Sequence, residues 1–358
     1  MKPFIFRQFP LYCRPACCFA FFIAFTCSTA IGRGQTPYLS SLAATKDSPL
    51  FTTYAAPEAM SEFTLDKAYH LLLNDEEKGA DFTNESGGDI CLAFKSGGKY
   101  VYALKDMFRQ PVITASYSDL VTYTFWPFDS ISVKATFVVY GSHHAVLAID
   151  VRNNASNVVR VEVLPFLQNW NRTYEGVKFR KEAGAIAFTH EENPDDWVLE
   201  HGVPYVRTVK DAFVVSDPPD RMMSFRSYRK VDSIAGSDFL TGVRSPRREV
   251  SRVSGLARIV AFSCAYDLRP GETHRLTAVR SVARPADDPG RLIDTARSLT
   301  TLDLPRCIEN DEKIYSSIPP LPSVDPDIQM LYWGAFSLMR QVMLPPEGKC
   351  HFNYYVFS

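Results

Sequence analysis

Between residues 63 and 282 the chain repeats one signal: short runs in which apolar and polar side chains alternate with period two, broken by Gly, Pro, Asn and Asp. The clearest is 131–137. Ile131, Val133, Ala135 and Phe137 share one face there, and Ser132, Lys134 and Thr136 the other, the pattern of a half-buried strand. Residues 145–151 follow, then the polar run 153–157, then 158–164 with Val159, Val161 and Val163 aligned. That succession predicts a hairpin whose second strand stops at Pro165. Further on, Val260, Phe262, Cys264, Tyr266 and Leu268 share a face ahead of Arg269-Pro270-Gly271-Glu272. Proline presets φ at the second position of a type II turn and glycine takes the positive φ at the third, so the chain reverses there. Runs at 177–179 and 186–188 flank an Ala183-Gly184 turn. So many short strands with little helical periodicity predict a mainly β fold of large packed antiparallel sheets.

Past residue 283 the period changes. Asp288 offers an N-cap, Pro289 a first helical position, and Leu292, Ile293, Ala296 and Leu299 recur at helical spacing, which predicts a short helix over 289–300. Residues 303–326 hold Pro305, Pro319, Pro320, Pro322 and Pro326 with few apolar clusters, the composition of a linker between domains. Asp325-Pro326 again caps and starts a helix, and the run that follows is apolar nearly all round. Ile328, Leu331, Tyr332, Ala335, Leu338 and Val342 form one stripe, Met330, Trp333, Phe336 and Met343 cover much of the rest, and Gln329, Ser337, Arg340 and Gln341 are the polar exceptions. Such a helix is buried on several sides. The reading therefore expects further helices beyond Ser358 to cover it.

The first residues stand apart. Lys2, Arg7 and Arg14 precede an apolar stretch over 16–25 and then Ser28, Thr29 and Ala30, the layout of a secretory signal peptide over about 1–32. Ten apolar residues are too few to span a membrane, which takes about twenty. Secretion or a periplasmic location is expected, with no membrane span in the mature chain. Domains are expected at 33–302 (the sandwich), 303–326 (the linker) and 327–358. With 39 basic and 40 acidic residues interspersed, net −1, nothing steers the protein towards nucleic acid. Cys13, Cys17, Cys18 and Cys27 leave with the leader, and Cys91, Cys264, Cys307 and Cys350 remain. Their spacing matches no metal box. Cys264 reads as a buried thiol, and Cys307 with Cys350 is the pair to test for a bridge.

The order of a β-sandwich, a linker helix, a helix reading Asp-Pro-Asp then Trp333, and Pro345-Pro346-Glu347-Gly348 before an aromatic tail resembles the bacterial six-hairpin glycosidases, enzymes similar to glycoside hydrolase family 63 and its amylo-α-1,6-glucosidase-like relatives. The resemblance is sharpest over 325–358. It implies a supersandwich followed by an (α/α)6 barrel, here represented by its first helix. It also implies hydrolysis of α-linked oligosaccharides with inversion, and a general acid and base in the barrel, beyond Ser358. An oligosaccharide is then the expected partner, and no cofactor or metal is called for. Two other readings stand beside it: an exported non-catalytic carbohydrate-binding or scaffold protein, and a phosphorylase or polysaccharide lyase of similar architecture.

Within the chain the chemistry-bearing residues have plainer roles. Glu191, Glu192, Asp195 and Asp196 surround an Asn193-Pro194 turn and read as a solvated loop, Asp325 and Asp327 as helix-end residues, and Asp129 as a turn residue. His143 and His144 are adjacent, so on a strand they face opposite ways, and His190 and His201 lie in no ligand box. The motifs of a nucleophile elbow, a phosphate loop and a zinc-protease helix are absent from the sequence. Sugars stack on aromatic rings, which brings in Trp126, Trp170, Trp197 and Trp333, each read first as core. Tyr354 and Tyr355 are the candidate substrate-lining residues, placed by the resemblance in the loop after the first barrel helix.

Overall fold

The computed structural model describes residues 53–62, 68–73, 75–84, 87–170, 172–192, 207–225, 257–283, 287–323, 325–346 and 348–355. The predicted leader, Asp195, Asp196, Trp197 and His201 lie outside these.

Alternation becomes strands where it was expected. In chain order they are β1 (Thr53–Tyr54), β2 (Tyr69–Leu72), β3 (Asp81–Asn84), β4 (Gly88–Ser96), β5 (Lys99–Val101), β6 (Arg109–Ser116), β7 (Leu120–Phe128), β8 (Ile131–Gly141) and β9 (His144–Asn153). Then come β10 (Val159–Gln168), β11 (Glu175–Arg180), β12 (Ala185–Glu192), β13 (Arg207–Val215), β14 (Arg221–Phe225), β15 (Ile259–Leu268) and β16 (Thr273–Ala283). Among the described residues they form two eight-stranded antiparallel sheets. The first runs β1-β2-β3-β4-β10-β15-β14, with β5 also on β4, and the second runs β11-β12-β13-β16-β9-β8-β7-β6. Pro165 does not end its strand. Pairing of β10 with β15 holds at Val163↔Cys264, lapses opposite Leu164 and Pro165, and resumes at Phe166↔Ala261, so the missing N–H falls in a gap of the ladder. The turn after β15 is as read, with Gly271 at φ +74° and Glu272 N–H donating to the Arg269 carbonyl.

The sheets face each other through aromatic pairs. Phe82 stacks on Phe137 at 3.7 Å, Phe94 meets Phe125 edge-on at 5.6 Å, and Phe213 meets Phe262 at 5.2 Å, pairings that add to simple area burial. Outside the first sheet lies a second, smaller core in which Tyr102 and Ala103 cover Cys91, Leu164, Phe166 and Met223. Tyr102 packs onto Gly79, where an added Cβ would stand 2.6 Å from its ring. The 75–80 loop is also bound to this cover, since Leu104 N–H donates to the Lys78 carbonyl at 2.9 Å.

Helix α1 (Pro289–Ser298) is capped by the Asp288 carboxylate and packs against β13 and β16. The expected linker over 303–326 is largely a helix instead, α2 (Leu304–Ser316). Asp303 accepts from Arg306 N–H, and Pro305 occupies the first turn, where its missing N–H costs nothing. A proline that read as a breaker is a starter. Helix α3 (Pro326–Gln341) turns its predicted apolar stripe outward: Ile328, Leu331 and Leu338 are 47–72% exposed. Its buried face is Trp333, Ser337 and Gln341, one residue per helical turn. Hydrogen bonds decide this. Gln341 Nε2 donates to the carbonyls of Thr53 (2.6 Å) and Ser118 (3.1 Å), and Ser337 Oγ meets Tyr315 OH at 2.5 Å. Cys307 and Cys350 are both free thiols rather than a bridge, and so is buried Cys264. Among the described residues no helix is long and apolar enough to cross a membrane.

Candidate functional site

Strands β3 and β4 are joined by a turn through Gly87 and Gly88. Gly88 has φ +87°, and a Cβ there would lie 2.2 Å from the Gln168 carbonyl oxygen, so glycine is required on both conformational and steric grounds. The turn sets the register Thr83↔Asp89 and Asp81↔Cys91. Directly opposed residues point the same way and alternate residues share a face. Asp81, Thr83, Asp89 and Cys91 therefore share the outer face, while Phe82 and Ile90 enter the main core.

On that outer face is a cavity of about 470 Å³, within the usual range for small-ligand sites of roughly 300–1,000 Å³. Asp81, Thr83 and Asp89 form its floor, Leu72, Lys78 and Asn84 its sides, and Asn169 and Trp170 its rim. Asp81 is 1% and Asp89 4% exposed, whereas Trp170 is 37% exposed. Trp170 Nε1 donates to Asp89 Oδ2 at 3.0 Å, and Gln168 Nε2 reaches the same oxygen at 3.4 Å. The backbone behind the indole is fixed as well, because Arg258 Nη1 donates to the Trp170 carbonyl at 2.7 Å and Asn169 Oδ1 accepts from Arg172 N–H.

The floor is electrostatically uneven. Burial, reinforced by the neighbouring Asp89 charge and opposed by Lys78, drives the Asp81 carboxyl well above the usual carboxylate range. Burial also raises Asp89, against the hydrogen bonds from Gln168 and Trp170 that stabilise its ionised form. Asp81 Oδ1 has no hydrogen-bond partner, and Oδ2 has the Cys91 thiol, a weak donor, at 3.9 Å. A buried oxygen left bare is costly to folding. Its place in a cavity makes it available to a ligand hydroxyl or amine.

A buried polar chain from the second sheet braces the turn beside the cavity. Arg280 Nη2 lies 3.0 Å from Asp211 Oδ1, His190 Nδ1 is 2.5 Å from Asp211 Oδ2, and His190 Nε2 is 3.1 Å from Glu192 Oε1. Burial pushes the Asp211 carboxyl upward, but His190 and Arg280 together hold it below its ordinary value. A Cβ on Gly87 would fall 2.2 Å from Arg280 Nη2, and Tyr174 OH donates to the Gly87 carbonyl at 3.1 Å.

The structure does not bring Tyr354 and Tyr355 to this cavity. They form β18 (Tyr354–Tyr355), paired with β17 (Met343–Leu344), with Tyr354 half-buried and Tyr355 45% exposed. Glu192 is no solvated loop residue; it is 1% exposed against His190, whereas Glu191 is exposed. Asp325 caps α3 by accepting from Asp327 N–H, and Asp129 is an exposed turn residue. His143 bridges Glu62 and the Val282 carbonyl, and His144 meets Ser281 Oγ at 2.7 Å. Among the described residues no group of three His, Cys, Asp or Glu is placed to hold a metal ion. Trp333 is core, at 2% exposure. Trp170 is not; its sequence signal was an aromatic followed by Asn and Arg directly after a strand.

No family model matches the chain, and no curated protein matches it. Among solved structures it is similar to a putative kojibiose phosphorylase from the human microbiome, at 8% identity and a TM-score of 0.46 over 81% of this chain and 39% of that one. A family GH92 α-mannosidase from Bacteroides thetaiotaomicron follows at 9% identity and 0.42, again over 81% and 39%. A heparinase III gene product gives 8% and 0.38 over 66% and 35%. The chain thus spans well under half the length of each. Similarity at this level assigns neither substrate nor reaction.

Proposed function

We propose that the chain is the sandwich portion of a carbohydrate-active protein and that its own task is to hold a sugar in the Asp81–Asp89–Trp170 cavity. The observation that carries this reading is the pinned indole. A tryptophan whose N–H is bonded to a buried carboxylate keeps its apolar surface at the rim, above oxygens suited to ring hydroxyls. The reading extends to a secreted or periplasmic glycoside hydrolase acting on α-linked oligosaccharides with inversion, which the residues of 325–358 favour by resemblance. In that enzyme Tyr354 and Tyr355 line the substrate path. The outward apolar face of α3 suits contact with the other helices of such a catalytic domain.

A non-catalytic binding role is the second reading, favoured by one observation. Asp81 and Asp89 lie on adjacent strands of one floor, whereas hydrolysis needs carboxyls on opposite sides of the bond. Titrating tryptophan fluorescence with gluco- and manno-oligosaccharides tests the shared core of both readings: saturable quenching that Trp170→Ala abolishes is expected, and no response to any neutral or amino saccharide refutes it. Release of sugar with inverted anomeric form then separates hydrolase from binding module.

A further inference from the structure

Resting on that sugar-site reading, we propose that the preferred ligand carries a primary ammonium group, an unacetylated amino sugar whose nitrogen seats between Asp81 Oδ1 and Asp89 beneath the Trp170 indole. The floor holds two carboxyl groups on neighbouring strands, each almost wholly withdrawn from solvent. The two cations nearest the pair among the described residues are shared with other acids. Lys78 Nζ lies 3.5 Å from Asp75 Oδ2, and Arg280 is committed to Asp211 on the other side of the turn. A neutral hydroxyl would satisfy Asp81 Oδ1 but add no charge to offset the two acids. A uronate would add a third acid to the site. An ammonium brings three donors and a further positive charge together, with Thr83 Oγ1 on the same floor.

The groups that face Asp81 are Asp75 and Lys78 from the 75–80 loop, Asp89 and Cys91 from β4, Tyr102 from the covering segment and Tyr123 from β7. In the empty cavity burial and the Asp89 charge raise the Asp81 carboxyl, which favours its protonated form. Seating an ammonium beside it favours the carboxylate, so binding is expected to release protons to solvent.

Calorimetric titration of the full chain with the trisaccharides of glucosamine, N-acetylglucosamine, glucose and glucuronate tests this, at about pH 5, well below the ordinary range of an amine, in two buffers of different ionisation enthalpy. The glucosamine trisaccharide is expected to bind at least about tenfold tighter than the glucose one, the gain from one charge-assisted contact. It is also expected to bind with a buffer-dependent heat corresponding to proton release. Asp81→Asn should bring the ratio of the two affinities to within about twofold. Equal or tighter binding of the glucose or acetylated trisaccharide by the unaltered chain, without proton release, overturns the amine inference and leaves the sugar site standing. Calcium ions that expel the same proton and compete with the trisaccharide overturn it in favour of a metal. Binding of none of the four removes the sugar reading itself.

Discussion

Arg280 meets Asp211 across 3.0 Å with both residues 2% exposed, and the same guanidinium lies directly under Gly87 of the turn that walls the cavity. A charge pair within the second sheet thus braces a turn that walls a site on the outer face of the first. Removing one member of such a pair strands the other in a low-dielectric interior, which costs about 3–5 kcal/mol, whereas replacing both is far milder. Arg280→Met is therefore expected to lower unfolding free energy by about 3–5 kcal/mol, and the Arg280→Met/Asp211→Asn double variant by much less than the sum of the singles. Denaturant titration of the four proteins measures it. Strict additivity would show that the pair does not act as a unit.

Gly88 and Gly97 both have positive φ, +87° and +56°, but their surroundings differ. A Cβ at Gly88 strikes the Gln168 backbone at 2.2 Å, while at Gly97 nothing lies within 4 Å. Gly97→Ala is expected to cost about 1–2 kcal/mol from backbone strain alone. Gly88→Ala adds a clash that cannot relax without moving β10, and should cost more than twice as much and weaken saccharide binding. Comparable midpoints for the two variants would contradict the required close approach.

Trp170→Phe keeps an aromatic ring and removes the Nε1 donor to Asp89. Asp89 then loses one stabilising hydrogen bond, so its carboxyl rises further, and the ring is no longer oriented from below. Saccharide affinity is expected to fall by about three- to tenfold, the worth of one hydrogen bond, less than the loss caused by Trp170→Ala. The melting temperature should stay nearly unchanged, because Trp170 is a rim residue. Equal affinities for Trp170→Phe and the unaltered chain would mean that the indole anchor is irrelevant to binding.

Sequence pattern made the sheets legible because one buried face forces period-two alternation, as in residues 131–137, and the Arg269-Pro270-Gly271-Glu272 turn followed from its dihedral requirements. Helix α2 was missed because proline content was read without its cap: Asp303 and Pro305 mark a helix start, and only position within the helix distinguishes a starter from a breaker. The orientation of α3 was illegible for another reason. Hydrophobicity favours the stripe through Leu331 and Leu338, while Gln341 and Ser337 find specific partners in Thr53, Ser118 and Tyr315, contacts 22 to 288 residues apart in sequence. The cavity was hidden similarly. Asp81 and Asp89 border a Gly-rich turn and pass for turn polarity, and Trp170 reaches Asp89 only once β10 has paired with β4.

A second pair of acids makes the stability of the fold fall as pH rises. Asp119 and Asp311 act on each other's carboxyls where α2 meets the sandwich, with Arg340 of α3 close by, its Nε on Ser118 Oγ at 3.2 Å. Burial first, and then the Asp119 charge, raise the Asp311 carboxyl from its ordinary 3.8 to about 9. The folded chain therefore holds a proton there that the unfolded chain releases above its ordinary value. Since stability changes with pH as the difference in protons bound by the two states, this contribution is complete below about pH 4 and is lost progressively as pH rises towards about 9. Asp311→Asn replaces the protonated acid with a permanent donor. Its stability should exceed that of the unaltered chain by a margin that widens between about pH 5 and about pH 9. Denaturation midpoints of both proteins across that range provide the check: parallel profiles would show that Asp311 does not carry the proton, whereas convergence below about pH 5 and divergence above it would locate that proton at the junction of α2, α3 and the sandwich.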